Sequence, residues 1–147
     1  MSLVEEKETF KKGMEAVDRG DTKNGFAYLE SLFEAGYDPV LASYYAVCLA
    51  KERGEVQNAI VLCREAMEDD PGNQLHYLNL GRVFVAAQRK REAIKAFRDG
   101  LLYGKNGLIG KELDMLGWRK PPVFPSLGRE HSLNKFLGRM LVTLRLR

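Results

Sequence analysis

Apolar residues recur at helical spacing along most of the chain, and short turns rich in polar residues and glycine separate the periodic stretches. Apolar side chains at every third or fourth position form one face of a helix that packs on a core. The strict alternation of apolar and polar residues that indicates a half-buried strand does not occur in the sequence. The pattern predicts an all-α protein with helices at about 3–19, 23–35, 40–53, 56–69, 74–87, 90–103, 108–116 and 132–144.

The turn residues group these helices into pairs. A glycine followed by an acidic residue, at 20–21 and again at 54–55, breaks the chain between two helices that are close in sequence. Between pairs, Asp38 is a favourable N-cap with Pro39 at the first helical position, and the residues at 70–73 form a turn. The sequence therefore predicts successive helix-turn-helix units.

The stretch from Gln74 to Gly100 carries a pattern of small and large residues. Small residues at Gly81 and Ala93 would let two helices approach closely, while large apolar residues nearby fill the remaining space. The stretch resembles one unit of the tetratricopeptide repeat (TPR) family, whose pattern W-x2-L-G-x2-Y followed by A-x3-F places aromatic, small and apolar residues at fixed offsets. The matching residues are Tyr77, Leu80, Gly81, Phe84, Ala93 and Phe97.

Similar chemistry recurs along the chain with the family's period of about 34 residues. Small residues fall together at Gly25, Ala59 and Ala93. The resemblance implies a TPR-like helix-turn-helix solenoid of about three repeats plus a capping helix, followed by a C-terminal helical tail. The predicted bounds are 5–38, 39–72 and 73–106 for the repeats, 107–117 for the capping helix and 118–147 for the tail.

Resemblance to the TPR family also implies a concave groove, lined by the first helix of each unit, in which such arrays bind another chain. On the repeat period this groove would be largely apolar. An apolar groove favours a peptide or an amphipathic helix as the ligand, and the identity of that partner is unknown. Packing between repeats is the alternative role for each predicted groove residue. The predicted residues are Phe10, Met14, Tyr44, Cys48, Leu75, Leu78, Asn79 and Arg82.

The C-terminal segment differs from the rest of the chain in charge and in pattern. From Trp118 onward there are seven Lys or Arg and one acidic residue, a formal charge of +6; the whole chain carries +3, so residues 1–117 carry −3. Prolines at 121, 122 and 125 predict an extended stretch, and an amphipathic helix follows it. The residues predicted to dock on the repeats are Trp118, Phe124, Leu133, Phe136, Leu137, Met140, Leu141 and Leu144.

Several roles are open for this segment. Docking within the same chain or in a neighbouring copy, which would make a homodimer, is favoured by the opposite charges of the two parts. A structural cap without further function is a second role. A basic amphipathic helix also suits an anionic membrane surface, so a peripheral membrane adaptor is the alternative function. Nucleic-acid binding is not favoured, because the basic residues are not interleaved with exposed aromatic residues.

The sequence lacks the motifs of the common enzyme classes. Its histidines, His76 and His131, lie far apart, and His76 is expected on the surface of its helix. Most acidic residues are expected to be solvated on polar helix faces. We therefore predict a non-catalytic protein-interaction scaffold without a metal ion or other cofactor.

Cellular location is predicted from the cysteines and from apolar run lengths. Cys48 and Cys63 lie in apolar helical contexts and are expected to be reduced and buried. No apolar run approaches the roughly 18–20 residues that cross a bilayer, and no signal-peptide pattern opens the chain. These features support the expectation of a cytoplasmic location.

Overall fold

The computed structural model describes residues 1–118 and Arg139. The chain divides into two units, 1–117 and 118–147. The helices of the first unit are α1 (Leu3–Asp18), α2 (Thr22–Ala35), α3 (Pro39–Arg53), α4 (Val56–Asp69), α5 (Gln74–Ala86), α6 (Lys90–Leu101) and α7 (Gly107–Met115). No strand occurs among the described residues, so the all-α prediction is confirmed.

Local sequence signals begin and end these helices. Ser2 and Glu5 form a capping box at the start of α1. Asp38 caps α3 immediately before Pro39, and the side chain of Asn106 caps α7. For α1 to α7, predicted and observed helix bounds agree within two residues, because turn and capping residues determine where each helix begins and ends. The predicted helix at 132–144 and the predicted extended stretch before it lie outside the described residues.

Consecutive helices pack as pairs, α1 with α2, α3 with α4 and α5 with α6. Contacts of α3 with α1 and α5 bring the first helices of successive pairs together. Every residue from Leu41 to Ala50 of α3 is buried, so this helix is the centre of the core. α7 packs on α6 and α5, in the place that the first helix of a further pair would take.

Small residues bring paired helices together where the sequence pattern predicts it. The backbone of Gly81 lies so close to the ring of Phe97 that a Cβ atom at this position would overlap the ring. A Cβ atom on Gly100 would lie 2.8 Å from Cβ of Tyr77 and 2.9 Å from Cδ1 of Ile109. Close helix packing thus offsets the cost of about 0.5–1 kcal/mol that a glycine imposes inside a helix.

Candidate partner-binding groove

A cavity of about 300 Å³ lies between the first helices of the three pairs and α7. We refer to it as the groove pocket. Gly20, in the turn after α1, and Thr22, the first residue of α2, also line this pocket. The apolar lining residues are Val17, Val47, Val85, Leu108 and Met115, and the charged ones are Asp18, Arg19, Lys51, Arg82, Lys111 and Glu112.

Arg82 of α5 connects two walls of the groove pocket through ion pairs. Its Nη1 donates to Oδ1 of Asp18 at 2.7 Å, and its Nε donates to Oε1 of Glu112 at 2.9 Å. Asp18 ends α1 and Glu112 lies on α7, so the arginine links the first helix of the array with the last one described. The expectation that acidic residues are solvated on polar faces is wrong for these two carboxylates, because both pair with a buried arginine.

The guanidinium of Arg82 is held in its charged form, although only 7 % of the residue is exposed. Burial lowers its pKa, but hydrogen bonds to Asp18 and Glu112 outweigh burial and leave the pKa above its ordinary value. Asp18 also accepts the hydroxyl of Tyr44 at 3.1 Å. Burial, and next the charge of Asp18, raises the pKa of that hydroxyl, so Tyr44 remains a hydrogen-bond donor.

A chain of hydrogen bonds continues from Arg82 into the core between α3 and α5. Nη1 of Arg82 donates to Oδ1 of Asn79 at 3.2 Å, and Nδ2 of Asn79 donates to Oγ of Ser43 at 3.1 Å. Oγ of Ser43 lies 3.1 Å from Nδ1 of His76, whose Nε2 lies 3.1 Å from Oδ2 of Asp70. Every buried side-chain nitrogen and oxygen of the described residues has a hydrogen-bond partner, which makes this polar core stable.

The expectation that His76 lies on the surface of its helix is wrong, because the residue is fully buried. Its ring fits the interior since Ser43 and Asp70 satisfy both of its nitrogens. Hydrogen bonds from Asn73 and from His76 lower the pKa of the Asp70 carboxyl. The histidine therefore joins the end of α4 to α5 and α3.

Ser43, His76 and Asp70 are the residue types of a hydrolase triad, but their surroundings do not suit that chemistry. The side chain of Ser43 is fully buried, so a substrate cannot reach its hydroxyl. Its Oγ also lies 3.1 Å from the carbonyl oxygen of Val40 and accepts the hydrogen bond from Asn79. We interpret the three residues as a structural link.

Comparison with known proteins identifies the repeat. Residues 50–108 match the family model described as tetratricopeptide repeat. The TPR domain of OM64 from Arabidopsis has a similar fold, with a TM-score of 0.54 and 21% sequence identity over 78% of this chain and 95% of that domain. Residues 50–108 therefore carry a tetratricopeptide repeat, and the chain has a TPR-like helical repeat fold. No curated protein sequence matches it.

The predicted TPR groove residues divide into buried and accessible ones. Met14 and Leu75 are partly exposed, and so is Phe10, which lines a separate cavity of about 360 Å³ near the N-terminus. Arg82 lines the groove pocket. The others are at most 2 % exposed and lie inside the TPR array: Tyr44, Cys48, Leu78 and Asn79.

Three residues that were not predicted from the sequence line the groove pocket, one helical turn further along the first helices. Val17, Lys51 and Val85 all line the groove pocket, and 34 residues separate each from the next. This spacing equals the repeat period, so the sequence did contain the signal that could have identified them. Steps of 34 residues from Phe10 lead instead to the buried Tyr44 and Leu78, and the same steps from Met14 lead to the buried Cys48 and then to Arg82, which does line the pocket.

Most of the predicted tail-docking residues lie outside the described part of the chain. Trp118, at the end of the described range, is partly buried, and the isolated described residue Arg139 is exposed. Docking of the C-terminal segment stays a prediction. The predicted residues outside the description are Phe124, Leu133, Phe136, Leu137, Met140, Leu141 and Leu144.

The cysteines of the TPR array are buried free thiols, as expected. Burial raises the pKa of Cys63, and it raises the pKa of Cys48 to about 12, so both stay protonated. Among residues 1–118 and Arg139, no group of three or more His, Cys, Asp or Glu could hold a metal ion. None of the helices in that part of the chain has the length and apolar character needed to span a membrane.

Proposed function

We propose that this TPR array binds an extended or helical segment of another protein in the groove pocket. TPR domains generally mediate protein–protein interactions, and they are typically non-catalytic scaffolds. The bound segment would place an apolar side chain against the apolar lining and acidic side chains beside the basic residues. The observation that carries the proposal is an apolar lining next to basic side chains that have no ionic partner among the described residues.

The apolar lining provides the anchoring part of the site. Val17, Val47 and Val85 come from three successive first helices, and α7 adds Leu108 and Met115. Met115 is 65 % exposed, so apolar surface remains accessible to a partner. Complete burial of one Leu or Phe side chain contributes roughly 1.5–3 kcal/mol, which suits an anchor residue within a longer bound segment.

The charge of the lining favours an acidic partner. Both carboxylates of the lining are paired with the buried arginine. Arg19, Lys51 and Lys111 make no ion pair or side-chain hydrogen bond within residues 1–118. Glu52, next to Lys51, accepts the hydroxyl of Thr22 and keeps its negative charge, but it does not line the pocket. The remaining positive charge would attract acidic segments and repel basic ones.

The basic C-terminal segment is a less favourable occupant of this pocket. Residues 118–147 carry a formal charge of +6 and would bring like charge to Arg19, Lys51 and Lys111. We therefore propose another protein as the partner, rather than this segment of the same chain or of a neighbouring copy. Membrane association of residues 118–147 stays a separate prediction that does not involve the groove pocket.

Charge reversal in the groove pocket tests the proposal. Peptides selected from a displayed random library on the full-length protein should combine acidic residues with large apolar ones. The Kd of a selected peptide is then measured by fluorescence anisotropy. Lys51→Glu combined with Lys111→Glu should weaken binding about tenfold or more, because it replaces two attractive charge pairs by repulsive ones.

Lys12→Glu combined with Lys90→Glu is the matched control. It makes the same change of net charge at two exposed lysines that do not line the groove pocket. The control should retain the wild-type Kd within about twofold at physiological salt, because salt screens exposed charges that do not contact the bound peptide. Equal weakening by both double variants, or selection of basic peptides, would contradict the proposal.

A further inference from the structure

Two carboxylates of the chain itself already hold the guanidinium that lines the groove pocket. Asp18 and Glu112 lie 2.7 and 2.9 Å from Arg82, and their side chains are 26% and 16% exposed. An acidic group of a partner would therefore meet an arginine with two negative neighbours. Binding to Arg82 requires one of those neighbours to leave, because a third carboxylate would give the cluster a net charge of −2 in a partly buried place.

The two carboxylates are held unequally. Asp18 ends α1, a helix of 16 residues, and accepts the hydroxyl of Tyr44 in addition to Arg82. Within residues 1–118, the side chain of Glu112 bonds to Arg82 and to no other side chain. Displacement of Glu112 therefore breaks one interaction, whereas displacement of Asp18 breaks two. Glu112 is the carboxylate that leaves more readily.

The helix that carries Glu112 is the least anchored one of the described array. α7 has nine residues and buries two of them, Ile109 and Leu113. The connection from Leu102 to Lys105 is exposed, and Gly104 within it has a φ of +131°. A short helix with few buried side chains and an exposed glycine-containing connection is where local opening costs least.

We propose that Glu112 is a built-in competitor for acidic partners of the groove pocket. An arriving carboxylate takes the place of Glu112 on Arg82, and α7 loosens when its ion pair is lost. α7 thus sets the affinity of the site from within the same chain, and a change that weakens the Glu112–Arg82 pair opens the site to acidic ligands. This inference rests on the proposed function, since it concerns the regulation of the same pocket.

Glu112→Gln is the variant that tests the competition, because it removes the charge and preserves the size of the side chain. The probe is a synthetic peptide of Leu and Glu residues with blocked ends, and its binding to the full-length protein is followed by fluorescence anisotropy. Glu112→Gln should bind this probe about fivefold or more tightly than the wild type. Asp114→Asn, at an exposed position of α7 outside the pocket lining, is the charge-matched control and should bind like the wild type.

Hydrogen exchange separates displacement of α7 from a simple change in pocket charge. A saturating amount of the probe should speed up exchange of the α7 amides in the wild type and leave those of α3 unchanged. Equal affinities of wild type and Glu112→Gln, or slower α7 exchange with the probe, would overturn the competitor role. The proposed function then stands if Lys51→Glu with Lys111→Glu still loses binding. Failure of wild type and Glu112→Gln alike to bind the probe overturns both proposals.

Discussion

Two adjacent residues of α5 have different kinds of surroundings. Gly81 packs against Phe97, an apolar residue of the partner helix in the same pair. Arg82 pairs with Asp18 and Glu112, which belong to helices at either end of the described array. The first contact depends on a short motif within one repeat, and the second depends on how successive repeats are placed. Packing within a repeat is thus encoded locally, while the chemistry of the groove is encoded by the array.

Of the substitutions at these two residues, removal of Arg82 should lower the free energy of unfolding the most. Arg82→Met leaves Asp18, Glu112 and Asn79 without their shared donor. Loss of one partner from a mostly buried ion pair costs about 3 kcal/mol or more. Urea denaturation of the wild type and the variant, followed by circular dichroism, measures the expected fall in the free energy of unfolding.

A triple variant distinguishes loss of charge pairing from loss of packing. Asp18→Asn and Glu112→Gln, added to Arg82→Met, remove the carboxylates that the single variant leaves unpaired. The triple variant should recover at least half of the lost free energy of unfolding, because no unpaired charge remains. A triple variant that is no more stable than Arg82→Met would show that the ion pairs do not account for the effect.

Substitution of Gly81, the residue of the repeat motif, should give the next largest loss in the free energy of unfolding. Gly81→Ala places a methyl group where the ring of Phe97 lies, and the fully buried ring cannot move without disturbing the core. We expect a loss of about 2 kcal/mol in the free energy of unfolding, the typical cost of overpacking, measured by the same urea denaturation.

Gly110→Ala is the matched control for this substitution. Gly110 lies inside α7, and a Cβ atom there would meet no atom within 4 Å. The alanine should stabilise the protein by about 0.5 kcal/mol through its better helix propensity. Similar losses in both variants would mean that Gly81 has no special packing role.

The helix bounds and the packing around Gly81 could be predicted because the residues that determine them are close together in the sequence. Helical periodicity and turn residues predict the bounds of α1 to α7 within two residues, and they place Gly81 opposite a large apolar residue. One difference is at the end of α6, which stops at Leu101 rather than at 103. These local signals do not depend on the rotation of one repeat relative to the next.

The polar contacts of the groove pocket could be predicted only in part, because the residues that form them are far apart in the sequence. The repeat period made Arg82 a candidate groove residue, but its pairing with Asp18 spans 64 residues and depends on the rotation between repeats. The burial of His76 depends on Ser43, 33 residues earlier, and on the turn at Asp70. A polar residue in an amphipathic helix pattern is expected outside, and only tertiary partners reverse that expectation.

The smallest effect is expected at Asp70, where the hydrogen-bond chain reaches the surface. Hydrogen bonds from Asn73 and His76 lower its pKa below the ordinary value of 3.8. The carboxylate thus contributes stability above its unfolded-state pKa, and this contribution is lost as the pH falls through the folded-state pKa. Asp70→Asn should lower the Tm slightly at pH 6 and flatten the fall in Tm below about pH 4.

Thermal melts of full-length protein across this pH range measure the effect of Asp70→Asn. Glu68→Gln is the control, because Glu68 is exposed and has no ion pair or side-chain hydrogen bond among residues 1–118. Its curve of Tm against pH should parallel that of the wild type. A curve for Asp70→Asn that also runs parallel to the wild type would show that the carboxylate is not stabilised by its hydrogen bonds.

The most direct test of the groove pocket as the binding surface is a methyl NMR titration of the full-length protein with the Leu and Glu probe. We predict that the largest chemical-shift changes occur at methyl groups of Val17, Val85 and Leu108, which line the pocket. Leu32 and Leu41, which line the cavity near the N-terminus, should change little. Shifts concentrated at Leu32 and Leu41, with the pocket methyl groups unaffected, would contradict binding in the groove pocket.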